Sequence, residues 1–198
     1  MLTVSGNLKR RSDTLLRPMA RRLAKAGFTP NVLTAIGLGI TLAAAYFLYI
    51  GEIIVGCVLI FFGACADVLD GLVARYAKRA TVGGAFFDSV SDRFSDCAIF
   101  CAVILGGHIG DFLGFSGLFW GLAALSGALL TSYVRSLAEA KGVPMMGRGL
   151  VERPERLIIF CVTGVLGFLT YGIVALAILG YLTVFQRIFY FYKTNKNI

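Results

Sequence analysis

Apolar residues run along this chain in blocks of about twenty, separated by short polar or glycine-bearing joints. The blocks fall near 31–50, 52–76, 86–107, 113–134, 154–172 and 174–193. A helix rises about 1.5 Å per residue, so each block matches a hydrocarbon layer about 30 Å thick. One or two such blocks would suit a buried soluble core; six with joints this short predict an all-α integral membrane protein with six transmembrane helices. Residues 31–193 then form one six-helix bundle, and 1–30 a cytoplasmic and interfacial segment of the same single domain, 1–198. Small residues inside the blocks, as in GLGITLAAA and GLAALSGALL, permit close helix contact in lipid.

Composition strengthens this picture. The chain has 198 residues, 58% apolar and only 15% charged, where a soluble domain carries about 25% charge. No large soluble catalytic domain fits, so an active site must be built from helices and short loops. The first apolar stretch follows a long basic segment and begins a full span, which is not signal-peptide organisation. Five cysteines, all inside predicted spans, lack CxxC spacing and read as small buried hydrophobes.

Charge distribution adds orientation. Lys9, Arg10, Arg11, Arg17, Arg21, Arg22 and Lys25 precede the first span, and Arg75, Lys78 and Arg79 surround the second joint. Arg135, Lys141, Arg148, Arg153 and Arg156 flank the fourth joint, with Lys193 and Lys196 at the end. The opposite joints hold Glu52, His108 and Asp111. The positive-inside rule places both termini in the cytoplasm of a multi-pass protein of the cell membrane. Residues 14–26 put Leu15, Leu16, Met19 and Leu23 on one face and cations on much of the rest, predicting an amphipathic interfacial helix with Pro18 in its first turn or at a kink. Thr29 or Asn31 is placed to cap the first span. The net charge of +8 is accounted for by topology and anionic lipid; no nucleic-acid module is visible.

Four acids stand out against this background: Asp67, Asp70, Asp88 and Asp92. On a helix, Asp70 lies about 60° to one side of Asp67 and Gly71 about 40° to the other, with Ala74 returning near Asp67. Asp88 and Asp92 share a face of the next span. The short joint makes the two helices antiparallel neighbours with their acid pairs opposed. Unneutralised, the four would repel. Oxygen-only ligands select Mg²⁺ or Mn²⁺ rather than zinc, and carboxylates with such a cation at a cytoplasmic face point to chemistry on phosphates. A channel or transporter lined by these acids is the reading from another class; it requires a route to both sides, whereas the acids cluster near one.

The run Asp67-x-x-Asp70-Gly71-x-x-Ala74-Arg75, eight residues, then Gly84-x-x-x-Asp88-x-x-x-Asp92 resembles the signature of the CDP-alcohol phosphotransferase family at every specified position. The resemblance implies transfer of a phosphatidyl-type group from a CDP-linked lipid to an alcohol, with release of CMP. It assigns metal binding to Asp67, Asp70 and Asp88, and the general base to Asp92, which also lies near the metals. It implies two ions, room for the nucleotide at Gly71 and Ala74, a phosphate contact at Arg75, close approach at Gly84, and a homodimer.

The acceptor is read from the remaining cations. The segment SYVRSLAEAKG…GLVERPERLIIF and the ending TVFQRIFY resemble phosphatidylinositol phosphate and archaetidylinositol phosphate synthases. This favours inositol 1-phosphate, with glycerol 3-phosphate as the alternative, and makes Arg135, Arg153 and Arg187 the phosphate-clamp candidates. Arg156 joins them less directly, because Glu152 and Glu155 are near enough in sequence to pair with it. Diacylglycerol and archaeol donors fit equally. Asp96 and Glu139 receive no role at this stage.

Overall fold

The computed structural model describes residues 16–77, 80–145 and 147–195. The basic residues Lys9, Arg10, Arg11, Lys78, Arg79 and Lys196, and Leu15 of the amphipathic pattern, lie outside them. Among the described residues there are seven helices and no strand. They are α1 (16–25), α2 (Pro30–Tyr49), α3 (Ile53–Tyr76), α4 (Val82–Leu105), α5 (Gly117–Ala140), α6 (Arg153–Val165) and α7 (Leu169–Asn195). They divide into two compact units, residues up to Ile99 and residues from Phe100 onward.

In the first unit α2 and α3 form an antiparallel hairpin. Gly51 makes the turn in the left-handed region, φ 90°. The Glu52 amide then donates to the Phe47 carbonyl at 2.9 Å and closes a Schellman end on α2. From this turn the two helices run back along a seam of small residues. A methyl at Gly56 would lie 2.6 Å from Leu48, one at Gly63 2.7 Å from Thr41, and one at Gly37 3.3 Å from Ala66. Leu48 pairs with Gly56 and Thr41 with Gly63, each pair equidistant from Glu52 and seven residues from the next. That is the heptad register of a left-handed helix pair, tightened by glycine. α1 lays Leu16, Ala20, Leu23 and Ala24 onto Leu33, Leu69, Leu72 and Val73. Its Arg17, Arg21, Arg22 and Met19 do not join this core, and Pro18 sits in its first described turn. Thr29 occupies the cap position of α2 without a side-chain bond, and Pro30 opens the helix. The expected side-chain cap from Thr29 or Asn31 is not formed: the Val32 and Leu33 amides donate to the Thr29 carbonyl, at 3.2 and 3.3 Å, and Asn31 turns its Oδ1 towards Gly84.

In the second unit α5 and α6 each pack on α7. α5 starts at Gly117, where Asp111 Oδ1 accepts from the Gly117 amide at 2.9 Å, and it continues to Ala140, six residues beyond the expected end of that block. The fifth block also differs. α6 stops at Val165 because Gly167, at φ 78°, turns the chain, and Phe168 N donates to Thr163 O at 2.7 Å. Gly172, which had marked the expected boundary, is a contact glycine: a methyl there would fall 1.9 Å from Thr163 Oγ1. Among the described residues, four helices are long and apolar enough to cross a membrane: α2, α3, α5 and α7. α4 has the length but carries Asp88, Asp92, Arg93 and Asp96 within nine residues. α6 has 13 residues. None of the five cysteines is disulfide-bonded; Cys57 is buried as expected, whereas Cys101 is exposed.

Candidate active site

The hairpin register that pairs Leu48 with Gly56 and Thr41 with Gly63 reaches, one heptad further, Thr34 and Asp70. Here the rung is polar. Thr34 donates its hydroxyl to Asp70 Oδ2. Both side chains are buried, Asp70 at 5% exposure, so the hydroxyl fixes one carboxylate oxygen that would otherwise be desolvated at cost. Asp67, one turn earlier on α3, and Asp88 on α4 join it: one oxygen from each of the three acids lies within 4.8 Å of the others. Three carboxylates this close in a part-buried site form a hard, all-oxygen donor set, which fits a divalent cation such as Mg²⁺ or Mn²⁺.

Asp92 follows Asp88 by one turn of α4 and stands outside that trio. Arg93 lies between Asp92 and Asp96, Nη2 3.5 Å from Asp92 Oδ2 and Nε 3.9 Å from Asp96 Oδ2. The unassigned Asp96, 2% exposed, thus flanks the arginine beside Asp92. On α3, Gly71 leaves a gap bounded by Arg75: the position of a methyl at Gly71 is 3.9 Å from Arg75 Nη1. Ala74 is half-buried and Arg75 exposed. Gly84 sits in the first turn of α4, where its amide donates to Thr81 Oγ1 at 3.0 Å. A methyl there would lie 3.0 Å from Thr81 Oγ1 and 3.1 Å from Asn31 Oδ1. The sequence pattern does not mark Thr34, Thr81 or Asn31 as neighbours of these residues.

The second unit holds the arginines. Arg187 and Arg156 are buried, 3% and 5% exposed. Arg187 Nε donates to Arg148 O at 2.7 Å and Nη1 to Thr131 O at 2.5 Å, while Nη2 lies 3.9 Å from Glu152 Oε1. Arg156 Nη1 donates to Thr131 Oγ1 at 3.0 Å. Arg153 is half-buried at the start of α6. Arg135 pairs with Glu139 at 3.0 Å across one turn of α5, which gives Glu139 its partner. Glu155 caps α6 by accepting from the Glu152 amide at 3.1 Å. Gly149, at φ 139°, is pressed against Thr183 and Arg187.

Comparison with known proteins decides the family. The family model described as CDP-alcohol phosphatidyltransferase matches residues 28–189. The chain belongs to that family. It is therefore an enzyme, a transferase of phospholipid synthesis. The archaetidylinositol phosphate synthase of Pyrococcus horikoshii is 35% identical over 185 residues, which cover 92% of each chain. The phosphatidylinositol phosphate synthase of Mycobacterium tuberculosis, crystallised with CDP-DAG bound, superimposes with a TM-score of 0.78 at 30% identity, covering 90% of this chain and 94% of the other. A crystal structure of the same mycobacterial enzyme with manganese and citrate gives 0.78 at 32% identity, covering 88% of each. For a family member, a CDP-linked donor and an alcohol acceptor follow, and the acid trio lies within the matched region.

Proposed function

We propose that this protein transfers a phosphatidyl-type group from a CDP-linked lipid, CDP-archaeol or CDP-diacylglycerol, to a hydroxyl of myo-inositol 1-phosphate, releasing CMP. The observation that carries this reading is the convergence of Asp67, Asp70 and Asp88 at signature spacing. These three would hold Mg²⁺ or Mn²⁺, two ions by family resemblance, with Asp92 beside them. When bound, the cations would supply Lewis-acid polarisation of the pyrophosphate. Gly71 and Ala74 leave space for the nucleotide, Arg75 receives one of its phosphates, and Gly84 keeps the start of α4 close. Asp92 accepts the proton of the acceptor hydroxyl as its oxygen bonds to the lipid-side phosphorus, and the bond from that phosphorus to CMP breaks. Arg135, Arg153 and Arg187, with Arg156, bind the phosphate of the acceptor, since guanidinium forks match a phosphate dianion.

The names of the relatives favour inositol 1-phosphate over glycerol 3-phosphate, which would use similar cations. Purified protein given Mg²⁺, each donor tail type and a panel of acceptors tests the choice. Release of CMP with inositol 1-phosphate is expected; turnover of glycerol 3-phosphate without inositol 1-phosphate overturns it. Asp92→Asn is expected to keep folding and CDP-lipid binding while transfer falls by at least about a hundredfold, the scale of a lost general base. We further propose six membrane crossings, both termini and the active site on the cytoplasmic side, and a homodimer.

A further inference from the structure

We propose that Thr131 is a positioning residue for the acceptor's phosphate, setting the arginine pair Arg156 and Arg187 from the middle of α5. This rests on the reading of those arginines as phosphate ligands. Thr131 is 1% exposed. Its hydroxyl donates to Ala128 O at 2.8 Å, which leaves its oxygen lone pairs to receive Arg156 Nη1 at 3.0 Å. Its carbonyl receives Arg187 Nη1 at 2.5 Å. One residue thus accepts from both guanidiniums, from α6 by its side chain and from α7 by its backbone.

The arrangement is expensive for a structural core. Two guanidiniums buried on the same residue repel more strongly than they would in water, and apolar side chains of similar volume would pack at lower cost. Glu152 lies 3.9 Å from Arg187 Nη2, and Glu139 also acts on Arg187 electrostatically. A group of further negative charge is the chemistry that such a pair suits, and a phosphate monoester accepts from two guanidinium forks at once. Arg187 is held independently, by Arg148 O at 2.7 Å and by the backbone of residue 131. The threonine hydroxyl therefore acts on Arg156. Replacing Thr131 by valine removes that contact and leaves the Arg187 bond to the carbonyl in place.

The test uses purified full-length protein in nanodiscs, Mg²⁺, CDP-lipid and inositol 1-phosphate, with inorganic phosphate as a competing anion. Thr131→Val is expected to raise the acceptor KM and the inhibition constant of inorganic phosphate together, by about tenfold for one lost hydrogen bond to a charged group. The donor KM and kcat should stay within about twofold, a separation that a packing defect would not produce. Thr131→Ser, which keeps the hydroxyl, should restore both constants. An unchanged acceptor KM in folded Thr131→Val overturns the inference. So does an equal rise in donor and acceptor KM accompanied by a lower Tm. Wild-type protein that ignores phosphorylated acceptors and is not inhibited by inorganic phosphate overturns the phosphate-clamp reading and this inference with it; the wild-type assay alone separates the two failures.

Discussion

A carboxylate as buried as Asp70 (5% exposed) needs a fixed donor, and Thr34 is that donor. Thr34→Val leaves the Asp70 oxygen without its hydroxyl and frees the side chain to rotate away from Asp67 and Asp88. The expected result is weaker binding of Mn²⁺, followed by electron paramagnetic resonance on purified protein, with a dissociation constant about tenfold higher. Thr34→Ser should bind as wild type, and an unchanged constant for Thr34→Val would remove Thr34 from the site. Gly149 makes a second residue-scale case. Its φ of 139° is strained for any L side chain, and a methyl would meet Thr183 Cγ2 at 2.6 Å. Gly149→Ala should lower Tm, consistent with a cost of about 1–3 kcal/mol. At this scale the acids were legible in the sequence because charge is conspicuous in an apolar run and their spacing is periodic. Thr34 and Thr131 were not, because a threonine inside an apolar helix looks like any small residue until its partner, tens of residues away, is known.

Between elements, the α2–α3 hairpin matters most, since Thr34 reaches Asp70 only if the two helices stay in register over two heptads. Gly63 is the middle rung, with Thr41 opposite. Thr41 is not free to turn aside, because its hydroxyl donates to Gly37 O at 2.9 Å. Gly63→Ala should therefore lower Tm by forcing the helices apart, and should weaken Mn²⁺ binding at a site seven residues away. Adding Thr41→Ala should recover most of both losses, a coupling of about 1 kcal/mol or more measured by a double-mutant cycle. Purely additive effects would show that the rung does not set the register. Leu48 and Gly56, Thr41 and Gly63, Thr34 and Asp70 are symmetric about Glu52, but the apolar blocks, which leave residue 51 alone as the joint, do not locate that centre; the Gly51 turn does. The end of α6 was harder to read. Gly164, Gly167 and Gly172 all punctuate the same run, and only the Schellman bonds at Gly167 and the contact of Gly172 with Thr163 assign the turn to the first and the packing to the second.

For the whole chain the open physical question is how many times it crosses the bilayer. α2, α3, α5 and α7 have the length and apolarity to cross. α4 extends over 24 residues but bears Asp88 and Asp92 in its first half; a protein-facing acid stripe is the tolerated arrangement for such a helix. α6, with 13 residues, is about 20 Å long, short of the hydrocarbon thickness of about 30 Å. The proposed topology has α6 cross rather than dip, with its cationic joint on the cytoplasmic side. Arg148, Arg153 and Arg156 sit at its start and the exposed Leu166 and Phe168 at its end. Six crossings then require local thinning of the bilayer or help from the flanking turns at this helix, a modest cost per ångström of mismatch. The proposed six-crossing topology places Leu113, 72% exposed in the α4–α5 joint, on the outer side and Ala80 on the cytoplasmic side. In a background lacking the five native cysteines, Leu113→Cys should react with an impermeant maleimide on intact cells, and Ala80→Cys only after permeabilisation. A cysteine at Gly167 should label with Leu113→Cys, from outside. Labelling of Gly167→Cys only after permeabilisation would make α6 re-entrant, placing the turn into α7 on the cytoplasmic side.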